Sequence, residues 1–150
     1  LGEVMFNFFI RLVLLIPVFI IFEIPVTTSI LLFPLGFLGL LLLGLAIGLL
    51  LTPLALLFGD VQRGLGLVTG IWMLLTPALY PPPKEGLAAS LAEWNPVSPI
   101  LLTTRNWLIS EPTAHTEGFL IVAGASVIVV AFGFLLYRIS MPHLIGRMGA

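Results

Sequence analysis

Long apolar stretches without charge alternate along this chain with short polar breaks rich in proline. The first stretch runs over 4–22, is interrupted by Arg11 and Pro17, and closes at Glu23 and Pro25. From Ile24 to Gly59 the chain holds 36 residues without a charge, and Pro25 and Pro34 near its start confine the regular helix to 29–58. At about 1.5 Å per residue that helix is about 45 Å long against a hydrocarbon core of about 30 Å, so it must tilt, kink near Pro34 or Pro53, or project beyond the lipid. A single crossing is expected, because two would leave almost no residues for the turn. A third stretch, 64–80, ends at Pro81-Pro82-Pro83, and a fourth, 118–137, is followed by Arg138 and a short tail. The pattern predicts an all-α integral membrane protein of one domain with four transmembrane helices.

Between the third and fourth stretches the simple reading fails. Leu87 to Glu93 predicts a short helix, Trp94-Asn95-Pro96 a break, and Ser98 to Ile109 a second helix with Arg105 inside it. Each piece is too short to span, a length that suits re-entrant or interfacial segments, so a helical hairpin is expected over about 87–110. The preceding Thr76-Pro77-Ala78-Leu79-Tyr80-Pro81 frees backbone groups that lipid cannot satisfy; such a stretch is buried in protein or lines a polar cavity. Tyr80, Trp94 and Trp107 fit the headgroup level, where amphipathic rings gather. A loop lying on the membrane surface is the alternative.

Composition agrees with a membrane class: 59% of residues are hydrophobic and 9% charged, against about 25% charged in soluble domains. The net charge of −1 offers no basic surface for nucleic acid and no polybasic stretch for anionic lipid. Without cysteine, disulfides and thiolate chemistry are excluded. The opening Leu1-Gly2-Glu3-Val4 has neither an initiator Met nor a basic segment before the apolar core, and reads as a piece of a longer protein. Four spans place both ends beside the 59–63 turn, with Arg63, Arg138, Arg147 and the snorkelling Arg11. The other side holds Lys84 and Arg105 with Glu23, Glu85, Glu93, Glu111 and Glu117. The Lys/Arg bias puts both ends in the cytoplasm.

Few residues point to chemistry. Asp60 and Arg63 are three apart at the start of the third helix, where the carboxylate caps free amides and the pair forms an i, i+3 ion pair. Arg11 either snorkels or faces a polar interior. Gly44 and Gly48, and Gly66 and Gly70, form small-xxx-small pairs suited to helix packing or dimerisation. His115 and His143 fall on opposite sides, so no shared metal site is expected. Ser90, Ser98 and Ser110 have no neighbouring His to activate a nucleophile, and no glycine-rich phosphate cradle occurs. No enzyme site and no cofactor are expected in this chain.

The ordered set Phe58-x-Asp60, Thr76-Pro77-Ala78-Leu79-Tyr80-Pro81, Trp94-Asn95-Pro96-Val97 and Arg105 resembles the C-terminal part of ABC-2 type permeases that export polysaccharides, including the O-antigen, capsule and teichoic acid exporters. The likeness covers nearly the whole chain and is strongest between Phe58 and Ile109. It departs at Gly59, where the family often carries a basic residue before the Asp. The resemblance implies spans three to six of a six-span subunit, with the re-entrant pair on the outer side. It further implies a homodimer in the cytoplasmic membrane of a prokaryote, whose separate nucleotide-binding subunit binds ATP and Mg and hydrolyses the ATP. In that frame Trp72, Tyr80, Trp94, Trp107 and Arg105 line the glycan path, Pro77, Pro81, Asn95 and Pro96 shape the hairpin, and Asp60 and Arg63 form the cytoplasmic turn. Interfacial anchoring is the other role open to the aromatics, and pairing with Glu93 or Glu111 the other role open to Arg105. An exporter of drugs or small lipids and a non-transporting membrane scaffold are the alternative functions.

Overall fold

The computed structural model describes the backbone of residues 2–78, 80–81 and 85–148, and side chains over the same range except residues 2–5, 8, 9 and 141–148. Lys84 and the side chains of His143 and Arg147, placed by sidedness above, lie outside the described residues. The described elements are all helical: α1 (Gly2–Ile21), a 3₁₀ turn (Thr28–Leu32), α2 (Phe33–Leu57), α3 (Gly59–Leu75), α4 (Leu87–Trp94), α5 (Val97–Ile109) and α6 (Thr116–Met148). Two stretches, Thr28–Leu57 and Thr116–Ser140, are long and apolar enough to cross a membrane, each with a mean hydropathy of 2.7. Among the described residues the first and third expected spans are not in that set: the described apolar part of α1 is Ile10–Ile21, and α3 has 17 residues.

Proline chemistry explains where the boundaries differ from expectation. Pro34 sits in the first turn of α2, where a missing N–H costs nothing, so the α-helix begins at Phe33 and the preceding turn is 3₁₀. α3 starts at Gly59 rather than Gly64 and stops at Leu75 rather than Tyr80. Thr76 precedes Pro77 and is extended, with φ −87° and ψ 131°, because the proline ring disfavours the α conformation at the residue before it. α6 continues past Tyr137 to Met148, where a short tail was expected.

The core forms where small residues let helices meet. On α2 the buried positions are Gly36, Gly39, Leu43 and Ala46; on α6 they include Phe119, Ser126 and Gly133. Spacings of three, four and seven keep each set on one helix face. A Cβ on Gly39 would lie 3.1 Å from the Phe119 ring, and one on Gly133 3.0 Å from Cβ of Leu49. The contacts advance in the same direction along both chains, so α2 and α6 run parallel.

α5 lies against both and runs antiparallel to α2. Ile100 packs beside Gly39, Thr104 occupies the space a side chain on Gly36 would need, and Ser110 reaches Thr27 just before α2. Leu43, Ile100, Trp107 and Phe119 form the buried cluster. The Trp107 and Phe119 rings meet edge to face, 5.1 Å between centroids and 68° between planes. Gly44, Gly48, Gly66 and Gly70 meet nothing within 4 Å, so close packing within the chain falls to other glycines than those the motif singled out. Outward faces carry large apolar side chains, among them Leu38, Leu45, Ile121 and Phe132. Apolar surface this extensive marks contact with lipid or another chain.

Candidate functional site at the Asn95 junction

The apolar run of α3 ends at a polar knot. Thr76 stops the helix, and its hydroxyl donates back to the Trp72 carbonyl at 2.8 Å. Pro77 is fully buried beside it. Across the chain, α4 ends at Trp94, and Asn95, in extended conformation with φ −76° and ψ 117°, separates it from α5. Pro96 takes the N-cap position, where its lack of an N–H does no harm.

Asn95 is buried, and its amide joins the two halves. Oδ1 accepts from the indole Nε1–H of Trp72 at 2.9 Å and from the backbone N–H of Val97 at 3.0 Å, while Nδ2 donates to the Thr76 hydroxyl at 2.8 Å. Both groups facing Oδ1 are obligate donors, and the Thr76 hydrogen is already committed to Trp72, so only one amide orientation satisfies the network. The Asn95 carbonyl also accepts from the Ser98 N–H at 3.1 Å. The break thus gives the first two amides of α5, those of Val97 and Ser98, acceptors on Asn95.

Trp72 forms a wall between two apolar grooves. One, of about 430 Å³, is bounded by Val68, Ile71, Leu75 and Leu91 with Trp94 and Pro96. The other, of about 500 Å³, lies between α2 and α3 along Gly44, Gly48, Leu65 and Thr69, with Val97 at one end. Trp94 is 87% exposed, a flat apolar face at the rim of the first groove. The structure therefore brings Trp72, Trp94, Asn95 and Pro96 together, with Pro77 beside them.

The other expected site residues stand elsewhere. Tyr80 donates its hydroxyl to the Leu74 carbonyl at 2.9 Å, capping the end of α3. Pro81 is exposed and outside any helix. Trp107 is buried in the core rather than facing a groove, because α5 turns that face toward α2 and α6. Arg105 is exposed and, among the described residues, pairs with neither Glu93 nor Glu111. Asp60 and Arg63 approach to 4.0 Å at a fully solvated turn. Asp60 is not the expected cap: Phe58 holds the N-cap position without a side-chain bond, and Asp60 sits in the first turn, where a carboxylate favours the helix dipole.

Two features carried no local signal. The hydroxyls of Ser98 and Thr103 on α5 are buried without a hydrogen-bond partner among the described residues. Thr27 donates through its N–H (3.2 Å) and its hydroxyl (2.7 Å) to the Ser110 hydroxyl, fastening the end of α5 to the start of the 3₁₀ turn. Comparison with protein-family models, with curated proteins and with solved structures gives no match.

Proposed function

We propose that this chain is the membrane-embedded part of an ABC-2 type permease that exports polysaccharide or lipid-linked glycan. In this reading α1, α2, α3 and α6 are four spans, and α4–α5 is a re-entrant hairpin opening toward the outer side. One observation carries the reading: the Asn95–Pro96 break lies beside the middle of α2, not beside its end. Val97 shares a groove with Gly44 and Gly48, while the far end of α5 meets Thr27. A broken backbone at that depth requires internal partners; Asn95 accepts from the Val97 and Ser98 N–H groups, and Trp72 and Thr76 hold its side chain in place. The parallel run of α2 and α6 adds support, since α3 and the hairpin must bring the chain back to the side where α2 began.

The grooves flanking Trp72, with Trp94 at the rim, offer flat apolar walls over which a sugar ring slides without a strong polar hold. Trp72 and Trp94 serve the path, whereas Trp107 and Tyr80 hold the frame. The permease itself does no covalent chemistry; a separate nucleotide-binding subunit drives opening, and a second copy of this chain completes the channel in the cytoplasmic membrane. The full-length protein reconstituted with its ATPase is expected to move glycan into vesicles in an ATP-dependent manner. ATP-driven drug efflux without glycan transport would move the assignment to the drug and small-lipid exporters, a reading that the almost wholly apolar grooves also accommodate. A protein that neither moves cargo nor associates with an ATPase is a scaffold.

A further inference from the structure

α4 carries a carboxylate to a depth where lipid does not accept one. Trp94 ends that helix, and Val97, just past the break, borders the groove along Gly44 and Gly48, near the middle of the apolar stretch Thr28–Leu57. Glu93 stands next to the break. It is exposed, and among the described residues it has neither an ion pair nor a hydrogen bond. A charged group at such depth faces a protein interior or a water-filled cavity rather than hydrocarbon. The described fold gives Glu93 no interior, so the side of α4 that carries it borders water.

That side of the helix is chemically mixed. Ser90, Glu93 and Trp94 are spaced i, i+3, i+4 and share one face of α4, and all three are exposed, Trp94 at 87%. Ala92, the buried residue of the helix, lies two positions from both Ser90 and Trp94, about 200° around the axis and so on the opposite side. Trp94 therefore separates two unlike surfaces. On the Leu91 side is the apolar groove against α3; on the Glu93 side are a hydroxyl and a carboxylate.

An indole offers a flat apolar face, a carboxylate accepts from hydroxyls in charge-assisted bonds, and a serine hydroxyl both donates and accepts. A sugar ring presents the matching set, an apolar C–H face with hydroxyls around its rim. An acidic sugar is repelled by Glu93. A cationic ligand fits less well, because this face has a single ring where recognition of quaternary ammonium uses a cage of them, and Ser90 would go unused.

We infer that this edge of α4 lies in a water-filled part of the path and binds uncharged sugar residues of the cargo, with Trp94 stacking on the ring and Glu93 and Ser90 taking its hydroxyls. Water competes for every bond at an exposed carboxylate, so the contact orients a ring without trapping it. The inference rests on the exporter reading and narrows its cargo to a glycan that is neutral where it passes α4.

The test uses the full-length protein with its ATPase in proteoliposomes, carrying one cysteine at a time. Ser90→Cys is expected to react with a membrane-impermeant maleimide, whereas Leu38→Cys, on the outward face of α2, is not. At millimolar concentration at least one of three neutral probes, a gluco-, a manno- or a galacto-oligosaccharide, should slow the Ser90→Cys reaction by about threefold. An oligogalacturonate of equal length and tetraphenylphosphonium should leave the rate unchanged. Adding Glu93→Leu or Trp94→Ala should remove the protection, while Glu93→Gln should keep part of it and admit the oligogalacturonate. An unreactive Ser90→Cys puts this edge against lipid and overturns the proposal. So do protection by none of the neutral probes, protection by tetraphenylphosphonium, protection that survives Glu93→Leu, and a disulfide between two copies through Ser90→Cys, which makes the edge an interface. Protection without ATP-driven glycan export keeps the sugar site and sinks the exporter reading; export without protection sinks the site alone.

Discussion

The indole N–H of Trp72 donates to Oδ1 of Asn95 at 2.9 Å, tying the break between α4 and α5 to a point one turn before the end of α3. Two elements that lack continuous helical bonding thereby share one amide. The amide is buried, so loss of a partner is not made good by water.

Asn95→Ala leaves the Trp72 indole and the Val97 N–H without acceptors, at about 1–3 kcal/mol each. A total loss of about 2–6 kcal/mol is expected from denaturant unfolding of the full-length protein in detergent. Trp72→Phe removes one donor and should cost less, and the double variant should lose less than the sum because the two side chains share one bond. Full additivity would show that the bond carries no coupling.

Trp94 is exposed at a groove rim and Trp107 is buried in the core, so the two should respond differently to truncation. Trp107→Ala empties a core site and should cost about 3–5 kcal/mol, read as a lowered melting temperature. Trp94→Ala removes an exposed ring and should change stability by less than about 0.5 kcal/mol while reducing ATP-driven glycan flux. Unchanged flux in stable Trp94→Ala protein would remove that ring from the path.

Gly36 and Gly44 should respond in opposite senses to the same substitution. A methyl on Gly36 collides with the Thr104 side chain, whose Cγ2 lies 2.7 Å from the new carbon, and overpacking of this kind costs about 1–3 kcal/mol. Gly44 meets nothing within 4 Å, so Ala there should be neutral or stabilise by about 0.5–1 kcal/mol through lower chain entropy. Equal thermal shifts for both would contradict the α2–α5 packing.

Ser110 has φ of +62°, a left-handed conformation that glycine adopts more readily, yet its hydroxyl receives the Thr27 bonds. Ser110→Ala loses the bonds and keeps the strain, whereas Ser110→Gly loses the bonds and relieves the strain. Gly should therefore be the milder change in thermal melts. A Thr27→Val and Ser110→Ala cycle should give a coupling of about 1 kcal/mol.

What the sequence revealed and what it hid follow from the range of each signal. The two short helices, Leu87–Trp94 and Val97–Ile109, begin and end within a residue of the expected bounds because Pro96 and the residue before it constrain the backbone locally. The same rule at Thr76–Pro77 ends α3 early, but the apolar continuation through Tyr80 disguised it. Glycine spacing pointed to Gly44, Gly48, Gly66 and Gly70, while Gly36, Gly39 and Gly133 make the contacts. Spacing defines a face that can be approached and says nothing about which face a neighbour takes. The Thr27–Ser110 pair joins residues 83 apart and leaves no local trace. The Asn95 partners were each visible as residues, but their convergence needs the antiparallel return of α5.

Phe58 alone separates α2 from α3, with φ −127° and ψ 104°. One residue contributes two soft torsions and almost no slack. A tilt of α2 within the bundle is therefore handed to α3 as through a short crank, and it arrives at the far end of that helix, where Trp72 stands between the grooves. Lengthening this joint by a few glycines would uncouple the two motions while leaving every packed contact in place.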